Sequence, residues 1–128
     1  MEREIKFRGK RVDNGEWVTG LYDSHEFKSY ITQEDYSDGI YGYYYFEVIP
    51  ETVCQYIGKN KNGIEIYEGD ITKTPTRTRY VIAWNQEKCL FAEHFKNTFL
   101  REFTLASYPI ELDRIEIIGN IHDNPELL

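Results

Sequence analysis

Charged and apolar positions alternate from the start of the chain. Glu4, Lys6, Arg8 and Lys10 point one way and Ile5, Phe7 and Gly9 the other, the period of two that marks a strand with one buried face. Asp13-Asn14-Gly15 follows, and Asn-Gly predicts a type I′ hairpin turn, with a return strand over 16–22. A shorter strand is expected over 27–33, then a polar loop over 33–39. The run Ile40-Tyr41-Gly42-Tyr43-Tyr44-Tyr45-Phe46-Glu47-Val48-Ile49 is the most strand-prone in the chain, because flat rings and branched side chains pack well on a pleated surface. Pro50 ends it, since proline donates nothing to a ladder.

The rhythm continues downstream. Val53–Ile57 reads as a strand, Lys59–Gly63 as a second Asn-Gly turn, and Gly69-Asp70 as a sharp bend before Ile71. Tyr80–Trp84 and Cys89–Phe95 predict a hairpin, and Arg114–His122 a last strand broken by Asp123-Asn124-Pro125. The stretch 96–107 fits a helix face or a strand equally well. Many short strands punctuated by Asn-Gly, Pro and Gly predict an all-β fold of barrel-like type, with at most one or two short helices. Tyr67-Glu68-Gly69-Asp70-Ile71 leading to Val81–Trp84 looks like the opening of an SH3-like element in the C-terminal half. The 128 residues fit one domain, or two β lobes at roughly 1–50 and 51–128.

Composition narrows the partners. The net charge is −7 and the sequence pI about 5.0, a balance that repels polyanions and anionic membranes at long range. Aromatic residues reach 16%, and since Tyr and Phe favour strands, composition leans β. Cys54 and Cys89 have no zinc or redox spacing and are expected to be reduced. The charged opening leads into no apolar run, so the expected location is the cytoplasm, with no signal peptide and no membrane span.

No catalytic constellation emerges. Glu65, Glu68 and Asp70 could hold a cation, but Glu65 and Glu68 would face opposite sides of a strand. Asp70 reads better as a turn former that accepts backbone N–H groups. His25, His94 and His122 are too scattered for a metal site. There is no nucleophile elbow and no glycine-rich phosphate loop. The expectation is a protein without enzymatic activity and without a cofactor.

Four segments carry a family resemblance. They are Ile5–Lys10 with Gly15–Val18; Val48–Val53 with Gln55-Tyr56 and Gly58; Lys61–Gly63 with Glu65–Ile71; and Glu116–His122 with Asn124–Leu128. In this order and over nearly the whole chain, they resemble the YopX family of phage and prophage proteins. The resemblance implies a phage accessory gene product with no assigned activity, and self-association among family members. The segments 22–46 and 96–113 do not take part in it.

Two surfaces then compete as sites. Tyr41, Tyr43 and Tyr45 fall on one face of their strand, with Tyr44 and Phe46 on the other; such a strand is either core or an interface to a protein partner, from host or phage, or to a second copy. Lys6, Arg8 and Lys10, with Arg11 beside them and Trp17 on the paired strand, form a basic stripe. That stripe is either a solvated, edge-protecting face or a contact to nucleic acid. The acidic balance makes nucleic acid the less favoured partner, and the leading reading is a protein-binding factor.

Overall fold

The computed structural model describes residues 4–95, 98–102 and 112–128. The chain forms two compact units, Met1–Tyr56 and Ile57–Leu128, all-β apart from a few single helical turns. In the first unit, β1 (Phe7–Lys10), β2 (Trp17–His25), β3 (Lys28–Asp35) and β4 (Gly42–Val48) make an antiparallel meander. A 3₁₀ turn at Pro50–Thr52 then sends β5 (Cys54–Lys59) back against β1. These strands run β4-β3-β2-β1-β5 within a six-stranded sheet.

The open side of this meander closes on itself. Val12 N donates to Glu47 O at 3.0 Å and Ile49 N to Lys10 O at 2.8 Å, so the end of β1 meets the end of β4. Closure of this kind removes exposed edge, the usual reason small sheets curl. Strand β2 makes the curl by serving two neighbours: residues 17–20 pair with β1 and 21–25 with β3. The core is Val18, Ile31 and Val48, with Phe7, Phe46 and Val53 packed around it. Ile5, by contrast, lies before β1 and is exposed.

The second unit repeats that order. After the β5–β6 hairpin (β6, Glu65–Tyr67), strands β7 (Asp70–Lys73), β8 (Arg79–Asn85), β9 (Leu90–Phe95) and β10 (Thr98–Glu102) form a meander, and β11 (Glu116–Asn120) returns against β7. The order β10-β9-β8-β7-β11 matches that of the first unit, with a helical turn at 112–114 ahead of the returning strand. The same meander with a returning strand therefore occurs in both units. Ile57, Ile66, Ile82, Phe91, Leu112 and Ile115 form its core. Of the ambiguous stretch 96–107, residues 98–102 are strand; the rest lies outside the described residues.

Turn chemistry differs from the sequence expectation in one place. Asn14-Gly15 does not make a type I′ turn, because only Gly15 has positive φ (72°). Asn14 Oδ1 instead accepts the Glu16 N–H at 2.9 Å, and Arg11 N donates to Glu16 O across a longer loop. The two-residue turn with positive φ at both centres, as type I′ requires, is Glu26-Phe27 (φ 50° and 66°), between the paired His25 and Lys28. Neither residue suits the left-handed region, and Phe27 is fully exposed. Changing Glu26-Phe27 to Asn-Gly is expected to raise stability by about 1 kcal/mol, read from the denaturant midpoint; a loss of stability would show that the Phe27 ring is packed.

Candidate functional site

Register decides which tyrosines share a face. Residues directly opposed across β3 and β4 lie on the same side of the sheet, so Glu34↔Tyr43, Thr32↔Tyr45 and Tyr30↔Glu47 define one surface, extended onto β2 by Asp23↔Tyr30. The other surface carries Val48, Phe46 and Ile31 and is the core side. On the outer surface the rings form an unbroken chain. Tyr36 lies 4.9 Å from Tyr41, Tyr41 lies 5.0 Å from Tyr43, and Tyr43 lies 6.4 Å from Tyr45, which meets Tyr30 edge-on at 6.2 Å. These are favourable aromatic separations, yet Tyr36 is 63% exposed, Tyr41 and Tyr43 are 49% and Tyr45 is 60%. The strand that could have been core is an aromatic surface.

Carboxylates hold this surface in order. Glu34 accepts the Tyr36 hydroxyl at 3.0 Å and lies 3.4 Å from the Tyr41 hydroxyl, whose proton goes to the Tyr43 hydroxyl. At the loop, Asp35 accepts the Ser37 N–H at 3.0 Å and its hydroxyl at 2.7 Å. These bonds, first among them those from Ser37, hold the Asp35 carboxyl below its ordinary range. Tyr36 is pushed above the ordinary phenol value by its bond to Glu34, Tyr41 by its bond to Tyr43, and Tyr44 by its bond to Asp35. A raised phenol pKa means a contribution to folding that is present below the ordinary value of 10.0 and lost as pH rises through the folded one. The Tyr36, Tyr41 and Tyr44 hydroxyls are thus neutral donors at physiological pH. In a tyrosine-ring NMR titration, Glu34→Gln should bring the Tyr36 transition back toward 10.0; an unmoved transition would show that the hydroxyl does not face Glu34.

The basic stripe also assembles. Arg8 and Lys10 lie on the face of β1 that carries Trp17 and Thr19 of β2. The Arg8 guanidinium sits 4.6 Å and the Lys10 ammonium 5.5 Å from the Trp17 ring centre, and Lys6 is 4.6 Å from that of Tyr56. Arg11 stacks 4.8 Å from the Phe46 ring and forks onto Asp13, with bonds of 2.9 and 2.6 Å. Lys6 also meets Glu4 at 3.5 Å. Each cation is therefore spent on a ring or a carboxylate of its own chain, and the Trp17 face that a base would stack on already carries a guanidinium.

The motif segments prove to be builders of turns. Asp70, 3% exposed, accepts the Tyr67 N–H at 2.8 Å, and Gly69 bonds both Ile82 and Ile121. Asn60 Oδ1 takes the N–H groups of Asn62 and Ile64 at 2.9 and 3.1 Å. Thr52 accepts the Lys10 N–H at 2.9 Å and donates to Ile49 O at 2.6 Å. In the last turn, Asn120 Oδ1 accepts from His122 and Asp123 while Asn124 Oδ1 accepts from Asn120. Every segment that carried the resemblance thus has a structural task.

Residues 6–128 match the family model described as YopX protein. The chain belongs to the YopX family. No curated protein matches it. In this YopX chain the tyrosine surface lies in the part of the sequence that the resemblance left out, whereas the turns lie in the part that carried it. Tyr30, Tyr36 and Glu34 went unnoticed in the sequence; alternation along β3 could have placed Tyr30 and Glu34 with Tyr43 and Tyr45, but Tyr36 sits in a loop, where no period applies. No helix among the described residues is long and apolar enough to cross a membrane.

Proposed function

We propose that this YopX protein is a non-enzymatic phage or prophage accessory factor that works in the host cytoplasm by binding another protein through the β3–β4 tyrosine surface. The supporting observation is the exposed ring chain Tyr36–Tyr41–Tyr43–Tyr45–Tyr30. Rigid amphipathic rings give contact area at small entropic cost and dominate binding hot spots. Because the rings lie outside the core, Tyr43→Ser is expected to leave the melting temperature within about 2 °C while weakening partner capture about tenfold or more. The assay is a pull-down of tagged protein from host lysate, with and without nuclease. Unfolding of Tyr43→Ser would place the ring in the core and end this reading. Material lost on nuclease treatment would favour the alternative, nucleic-acid contact through Lys6, Arg8, Lys10, Arg11 and Trp17, against which the internal ring and carboxylate contacts of those residues weigh.

A further inference from the structure

Strand β4 pairs with β3 over seven successive positions without a register shift, and its other edge is taken only at Glu47–Ile49, by Lys10 and Val12. Among the described residues, no second strand pairs with Gly42–Phe46. This edge carries no proline and no lysine, the usual guards against strand addition. Its surroundings are acidic: Asp23, Glu34 and Glu47 share the ring face, and Asp38 lies in the adjoining turn. On the same side of the sheet, Lys28 meets Glu47 at 3.8 Å, and the β1 cations Arg8 and Lys10 sit over the Trp17 ring. The Tyr36 hydroxyl donates to Glu34, which enriches its ring in electron density and makes its face a better seat for a cation.

We infer that the occupant of this surface is a lysine- or arginine-bearing extended segment of a protein partner, adding as a strand to the Gly42–Phe46 edge and placing its cations among the tyrosine rings beside Glu34. The inference rests on the proposed function and names the chemistry of its partner. Backbone bonds along the edge would supply affinity, and the alternate side chains that reach the rings would supply selectivity. A second copy of the chain fits poorly. Two such faces brought together would oppose Glu34 and Glu47 to themselves, and the cations of β1 lie in mid-sheet over the Trp17 and Tyr56 rings.

The test is selection of a random decapeptide display library on the whole protein, followed by binding of the synthetic winners. The expected winners carry Lys or Arg at alternate positions, perturb amide resonances of 30–47, and lose about tenfold in affinity on Glu34→Gln or on raising salt. Tyr43→Ser should lower their affinity at least as much. Neutral or acidic winners that still map to 30–47 would overturn the cation inference while keeping the protein-binding reading. Winners mapping elsewhere, or no winners at all, would overturn both. Concentration-dependent dimerisation lost in Tyr43→Ser would identify a second copy as the occupant and overturn the inference.

Discussion

Gly20→Ala is expected to destabilise the protein by about 3 kcal/mol, the largest effect of any single methyl group added to the first unit. A Cβ at Gly20 would collide with the backbone carbonyl oxygen of Thr32 and crowd Ile31 Cγ2 at 3.1 Å. Gly20 is the residue at which β2 leaves β1 and takes up β3: it pairs with Phe7, and the next residue, Leu21, pairs with Thr32. A sheet turning a barrel corner there brings the neighbouring backbone into the space a side chain would fill. Because the obstacle is backbone, no rotamer change relieves it; the strands must separate. Since a domain of this size is stable by about 5–15 kcal/mol, the loss is a substantial part of the whole. Gly42→Ala is the control: a Cβ there meets nothing within 4 Å, so unfolded-state entropy should leave it neutral or about 0.5 kcal/mol more stable. Equal midpoints for the two variants in urea would refute the corner.

Where the sequence was legible, a local cause was at work. Alternation placed β1, the strand-prone aromatic run ended by Pro50 placed β4, β8 and β9 were read as a hairpin to within a few residues, and glycine with asparagine marked the turns at Gly15 and Gly63 (φ 72° and 81°). The Glu26-Phe27 turn was not legible, because its φ values are imposed by the pairing on either side and contradict the residues' own preference. The end of β3 was missed for a related reason: Glu34 and Asp35 look like loop, but Tyr43 and Gly42 across the ladder hold them in the strand. The tyrosine run announced itself, but whether it faced core or solvent depended on which side of the sheet the rest of the chain covers. Alternation within one strand carries no such information, and register against β3 supplied it. The topology shared by the two units left no trace as a sequence repeat, since the same strand order is compatible with many side-chain sets.

Asp70→Ala is expected to cost about 3 kcal/mol. The carboxylate is buried, and it accepts the N–H of Tyr67, itself 3% exposed. Removing it strands a backbone donor away from water and also loses a charge-assisted bond, and the two losses add. The damage should spread, because Gly69 is held between Ile82 and Ile121 and Asp70 pairs with Asn120. One turn thus ties β7, β8 and β11 of the second unit together. Asp70→Asn keeps an oxygen in the same place and should retain about half the stability that alanine loses. A cation-binding carboxylate predicts something else: little change in the metal-free melting temperature, and a metal-dependent rise in the parent protein that either substitution abolishes. Thermal melts of the three proteins, with and without added Mg²⁺ or Ca²⁺, separate these cases. A large destabilisation graded Ala over Asn and indifferent to metal is the outcome expected of a turn. A rise with metal in the parent protein alone would instead make the Glu68-Gly69-Asp70 segment a ligand site.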